Sequence, residues 1–105
     1  MSGVALGGQN SPVTSLDSIR KVSTTPGTAV QLKTDDHCIG AIIQALSTNT
    51  NLIAIGGAAV IAGAGTETGT LLAAGAEITI YNKDMDDIYL DVITSGEGVS
   101  INVIK

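Results

Sequence analysis

The sequence predicts an all-β chain: a small antiparallel β-sandwich or barrel, jelly-roll-like, of about seven or eight short strands behind an extended N-terminal arm. Three observations predict it. From Ser18 onward apolar and polar residues alternate with period two, the mark of strands with one buried face. Clusters of Gly, Asn, Asp, Ser and Pro interrupt that pattern roughly every 8–12 residues, the spacing of sandwiches and small barrels. The most helix-like stretch, residues 36–46, contains Gly40 and the β-branched Ile39, Ile42 and Ile43, all of which disfavour a helix.

Residues 1–17 are rich in Gly, Ser and Asn, contain Pro12, and fit neither period, so they read as an arm laid on a neighbour or left unordered. Residues 18–105 read as one β domain. A short strand over 19–24 is followed by the turn Pro26-Gly27, where proline presets φ and glycine accepts a positive one. Residues 28–33 put Val30 and Leu32 on one face. After the polar Thr34-Asp35-Asp36-His37, residues 38–46 put Ile39, Ala41, Ile43 and Ala45 on one face and Ile42 on the other. Asn49 and its Ser/Thr/Asn neighbours form a loop, 52–55 a strand and 58–62 a weaker one, and 63–69 a glycine-rich loop. Leu71-Leu72 leads to the turn Ala73-Ala74-Gly75, and 77–81 is a strand with Ile78 and Ile80 inward. Residues 82–87 read as a charged loop, 87–94 as a strand with Ile88, Leu90 and Val92 inward, Ser95-Gly96-Glu97-Gly98 as a hairpin turn, and 99–104 as the last strand, with Val99, Ile101 and Val103 inward.

Composition narrows function. The chain has 105 residues, 44% of them hydrophobic and only 14% charged, against roughly 25% charged in ordinary domains. Tyr81 and Tyr89 are its only aromatic residues. A surface this poor in charge points to one covered by other protein in the working state. The longest run of apolar and small residues, 52–65, is too short and too glycine-interrupted to span a bilayer, so no membrane partner is expected. The first residues lack the basic and apolar regions of a signal peptide, which implies synthesis in a cytoplasm. A net charge of −5 argues against nucleic acid, whose binding needs basic surface. One cysteine, Cys38, permits no internal disulfide.

No constellation of catalytic or ligand-binding residues emerges. Asp35-Asp36-His37-Cys38 mixes metal-ligating residue types, but with no second His or Cys it reads as a polar turn followed by a buried cysteine. Asp84, Asp86 and Asp87 could offer hard oxygens to Ca²⁺, yet the central glycine and distal glutamate of an EF-hand are missing, and a solvated acidic loop is the simpler reading. Residues 63–70 lack the Gly-Lys-Ser/Thr ending of a phosphate loop. With His37 as the single histidine, and Glu67 and Glu97 in loops of small residues, no triad or carboxylate pair is supported. The expectation is therefore a protein that is not an enzyme, with no catalytic, cofactor-binding or metal-binding residues and no cofactor. Its contacts are expected on the arm, through Val4, Leu6, Val13 and Leu16, and on an outward set of Ile42, Tyr89 and Ile93.

The run Gly27-Thr28-Ala29-Val30-Gln31-Leu32, then Cys38 with Ile43-Gln44-Ala45-Leu46 and Thr48-Asn49-Thr50, resembles small virion proteins of tailed bacteriophages. The likeness continues through Ile53-Ala54-Ile55-Gly56-Gly57, Leu72-Ala73-Ala74-Gly75, Asp87-Ile88-Tyr89-Leu90 and Gly96-Glu97-Gly98-Val99, covering about residues 24–100 and leaving out the arm. It consists of turn and core residues and carries no active-site motif. The resemblance implies a virion structural protein, a decoration or cement protein on the capsid surface, made in the host bacterial cytoplasm. Its implied partners are the major capsid protein and further copies of itself, a trimer by analogy. The alternative is a receptor- or glycan-binding module of a head fibre or a cell-surface adhesin.

Overall fold

The computed structural model describes residues 15–34 and 37–105. Its strands are β1 (Leu16–Ser23), β2 (Val30–Gln31), β3 (His37–Ala45), β4 (Ile53–Gly56), β5 (Thr70–Leu72), β6 (Glu77–Asp84), β7 (Tyr89–Val92) and β8 (Glu97–Ile104), with a single 3₁₀ turn, Met85–Asp87, between β6 and β7. They form two four-stranded sheets, β1-β8-β3-β6 and β2-β7-β4-β5, with every pairing antiparallel. The first strand pairs with the last, the second with the seventh, the third with the sixth and the fourth with the fifth. That is a long hairpin rolled up on itself, the topology of a jelly roll.

The core lies between the sheets and is built by the two central pairs. In the first sheet Ala41 faces Val103, Ile43 faces Ile101 and Ala45 faces Val99. In the second, Ile53 faces Val92 and Ile55 faces Leu90. All ten side chains are buried. Each large aliphatic among them contributes roughly 1.5–3 kcal/mol before ordering entropy is subtracted. Alanines at 41 and 45 keep one side of this aromatic-free core shallow, so Leu32, Leu72, Met85 and Ile88 complete it from the flanks. The expected inward residues Val30, Ile78 and Ile80 are half-buried and pack against it.

Several boundaries differ from expectation, each for a visible reason. β1 begins at Leu16, and Ser15 and Lys105 exchange both backbone bonds and extend the β1–β8 ladder, so residues 15–17, expected in the arm, belong to the β domain. Val4, Leu6 and Val13 lie outside the described residues. β6 runs on to Asp84 because β3 begins at His37 and supplies a partner. Residues 82–87 are thus not one loop but the end of a strand and a 3₁₀ turn pinned by the buried Met85. Within β3 the burial alternation changes phase at Gly40, so Cys38 is buried instead of Ile39. Ile61 makes only an isolated bridge to Thr68, not a strand. Glu97 and Gly98 belong to β8, leaving the turn to residues 93–96.

Gly98 has a specific reason to be glycine. A Cβ there would collide with the Lys21 carbonyl and lie 2.7 Å from the Val22 Cα. On its other side the Asn49 amide imitates a strand, with Nδ2 donating to Gly98 O (2.9 Å) and Oδ1 accepting from Gly98 N (3.2 Å). Backbone on one side and a doubly hydrogen-bonded amide on the other leave no room to shift. Gly98→Ala is expected to destabilise the chain by about 1–3 kcal/mol, whereas Gly57→Ala, with nothing within 4 Å of its added Cβ, stays near neutral. Thermal denaturation of the two variants checks this; equal effects would contradict it.

Candidate functional site

Three places gather polar or exposed apolar groups. The first is the end of the sandwich where β3 begins and β6 ends. His37 and Asp84 are cross-strand partners, and His37 Nδ1 lies 2.7 Å from Asp84 Oδ1. The 3₁₀ turn then folds Asp86 and Asp87 back towards Asp84, bringing one oxygen of each within 4.8 Å of the others. It is the one point among the described residues where three such groups meet. The cluster has the chemistry of a hard-cation site. Asp84, however, is engaged by His37, and the turn is shaped by the buried Met85. Cys38, the neighbour of His37, is buried with its Sγ 3.6 Å from Met85 Sδ, while His37 is exposed; the two do not converge on one point.

The second place is the outer face of the second sheet. Leu90 and Val92 of β7 point into the core, so Tyr89 and Asp91 point away from it. They do not meet solvent freely. Residues 57–69 fold across this face as a flap, and Val60 and Ala62 of the flap pack on Ala54 in a second small cluster flanked by Ala29, Leu71 and Tyr89. Gly69, at φ +86°, lets the flap return beside β4; a Cβ there would lie 2.6 Å from Ile55 O. Asp91 is fully buried beneath this cover. Its Oδ1 accepts from Gly27 N (2.9 Å) and its Oδ2 from Ala62 N (2.8 Å), so one carboxylate fastens the β1–β2 turn and the flap to β7.

A shallow apolar depression of about 260 Å³ opens among Gly57, Ala59, Val60, Thr68 and Gly69. Its one side-chain polar group, Thr68 Oγ1, accepts from Ile61 N and donates to Ala59 O. No titratable group lines it, so it offers nothing to activate or orient a reacting substrate.

A second carboxylate acts as Asp91 does. Glu97, at the start of β8 and buried, accepts from Thr50 N, Thr50 Oγ1 and Asn51 N at 2.6, 2.8 and 3.3 Å. The Thr50 amide, opposed by desolvation and aided by the Thr50 hydroxyl and the Asn51 amide, holds its pKa below the ordinary value of 4.5. Glu97 therefore holds the loop before β4 against β8.

The third place is the outer face of the first sheet. Register aligns Tyr81, Gly40, Ile104 and Leu16 in one row across all four strands. Tyr81 is 75% exposed and Leu16 62%. Gly40 leaves space between its neighbours, since a Cβ there would sit 3.6 Å from the Tyr81 ring and 3.8 Å from Ile104 Cδ1. Ile42 follows one row further in, half-buried, between Thr79 and Asn102. The next row is polar: Glu77, Gln44, Ser100 and Arg20. An apolar band thus occupies the end of this face where residues 1–14 join the sheet.

Of the residues expected to make contacts, Leu16 and Ile42 share this face. Tyr89 and Ile93 do not. Tyr89 packs under the flap, and Ile93 sits 39% exposed in the turn between β7 and β8. Tyr81, the most exposed large apolar residue on the band, was readable only as an odd-numbered outward position next to Ile80. Asp91 was readable as the lone charge in the apolar run Ile88-Tyr89-Leu90-Asp91-Val92.

No protein-family model matches the chain, and neither a curated protein nor a solved structure is significantly similar to it.

Two tests follow from the buried carboxylates. Asp91→Ala strands two amide donors beneath the flap and is expected to cost about 2–5 kcal/mol, with Asp91→Asn less harmful because its carbonyl oxygen still accepts; urea unfolding measures both. Glu97 binds its proton more weakly folded than unfolded, so its contribution is complete above pH 4.5 and is lost as the pH falls below that value. The stability gap between the natural chain and Glu97→Gln should therefore be constant near neutrality and close on acidification. A gap that widens in acid would contradict the assignment.

Proposed function

We propose that this chain is a capsid-decoration protein of a tailed phage, a structural module without catalytic activity that stabilises the head through contacts with the major capsid protein and with its own copies. The observation that supports it most is the apolar band Tyr81–Gly40–Ile104–Leu16, with Ile42 beside it, on an ordered sheet face. Large contiguous apolar patches are rare on monomeric soluble domains and mark interaction sites. The buried carboxylates serve loops and strands and face no cleft, which suits a part that must be stiff. The setting, the capsid surface of a particle assembled in the bacterial cytoplasm, rests on the resemblance to small phage virion proteins read in the sequence of residues 24–100.

A glycan- or receptor-binding module is less well supported, because both aromatic rings sit on strands, Tyr81 on β6 and Tyr89 on β7, and none is carried by a loop.

Co-sedimentation with empty shells of the cognate phage tests the reading. The natural chain is expected to pellet with the shells. Tyr81→Ser combined with Leu16→Ser should weaken binding roughly tenfold or more while the fold is kept, and removal of residues 1–14 should also weaken it. Absence of shell binding, or retention on a glycan array in its place, would overturn the proposal.

A further inference from the structure

The two long edge strands are β1 and β6, at opposite ends of the first sheet. An open edge presents unpaired backbone groups and is usually blunted by charge or covered. β1 carries Asp17, Arg20 and Lys21, and their order along the strand is self-complementary.

Hydrogen bonding fixes which groups face outward. Ser15 N donates to Lys105 O (3.3 Å) and Lys105 N to Ser15 O (3.0 Å), so the odd-numbered residues of β1 bond to β8. The N–H and C=O groups of Leu16, Ser18, Arg20 and Val22 therefore point to the open edge. No other described segment bonds to them. We infer that β1 is the interface of a two-fold dimer, in which a second copy of this chain pairs antiparallel with it about Ile19 and joins the two first sheets into one of eight strands. The inference stands on the strand edge alone and does not depend on the virion reading.

The register follows from chemistry. Centred on Ile19, Leu16 faces the partner's Val22, Asp17 the partner's Lys21, Ser18 the partner's Arg20, and Ile19 the partner's Ile19. The even-numbered pairs are those with outward backbone groups, so four pairs each exchange two hydrogen bonds. Leu16 and Val22, two of the exposed large apolar residues, cover each other. Asp17 and Lys21, both half-exposed on the inward face, form two symmetric ion pairs. Asp17 Oδ2 already lies 3.0 Å from Lys105 Nζ and 3.9 Å from Lys33 Nζ, and a carboxylate has the acceptor capacity for a further donor from the partner.

Neighbouring registers are worse. Centring on Arg20 sets Arg20 against the partner's Arg20, and centring on Ser18 sets Asp17 against the partner's Ile19 and Leu16 against the partner's Arg20. Like charges or mismatched pairs directly opposite are unfavourable. The charges on β1 thus favour this register over its two neighbours.

Sedimentation velocity of the purified full chain over a range of concentrations is the test. The natural chain should reach a dimer. Asp17→Lys alone and Lys21→Glu alone should each weaken it roughly tenfold or more, because each sets like charges opposite at two symmetric positions. An equimolar mixture of the two variants should restore a dimer holding one of each, since the side chain introduced by Asp17→Lys in one then faces that introduced by Lys21→Glu in the other. As a reading independent of charge, Ile19→Cys should oxidise to an interchain disulfide, because residue 19 alone faces its own copy, while Lys21→Cys should not. A natural chain that stays monomeric, as it would if residues 1–14 covered the edge, overturns the inference. So does a trimer, a dimer indifferent to both charge reversals, a mixture that remains monomeric, or equal cross-linking at 19 and 21.

Discussion

The carboxylate of Asp91, fully buried on a strand of the second sheet, is the constraint from which the rest of that side of the molecule follows. An ionised group cannot be taken out of water without polar partners, and the deficit amounts to several kcal/mol when they are missing. Its partners here are two backbone amides, one from the turn that leaves β1 and one from the flap over residues 57–69. Satisfying the charge therefore obliges both segments to lie against β7. Once they do, Val60 and Ala62 cover Ala54, Tyr89 is half-buried, and the chain itself covers this part of the second sheet's outer face.

The two sheets thus end up unlike each other. The second is short-stranded and covered. The first has strands of eight or nine residues, an outer face with an apolar band at one end, and two edges that no other described strand pairs. In a chain only 14% charged, the two buried carboxylates organise loops instead of solvating surface. The charges left on β1 are few, and their order carries information about pairing. The assembly role proposed above would need this division, with one side made rigid internally and the other left for partners.

Much of the fold was legible in the residues. Alternation identified the central strands correctly, because Ile43, Ile53, Leu90 and Ile101 are buried on one side whatever their partners are. Strand ends were less legible, since they are set by partners distant in sequence. β6 extends to Asp84 because His37 starts β3 opposite it, and β1 begins at Leu16 because Lys105 bonds Ser15. Glu97 looked like a turn residue because glycines flank it, yet Thr50 and Asn51 draw it into β8. Tyr89 looked exposed because alternation assigns faces and cannot show that a loop will fold over one. The apolar band was half legible: Leu16 and Ile42 were singled out in the sequence, but the row that links Leu16 to Tyr81 exists only through cross-strand register.

The claim that Asp91 fastens the flap is tested most directly by amide hydrogen exchange on the natural chain. The Gly27 and Ala62 amides should exchange almost as slowly as that of Ile101 in the centre of β8, because releasing either one leaves a buried carboxylate oxygen without its donor. Exchange at Ala62 as fast as at Ala64, in the exposed tip of the same flap, would contradict the account.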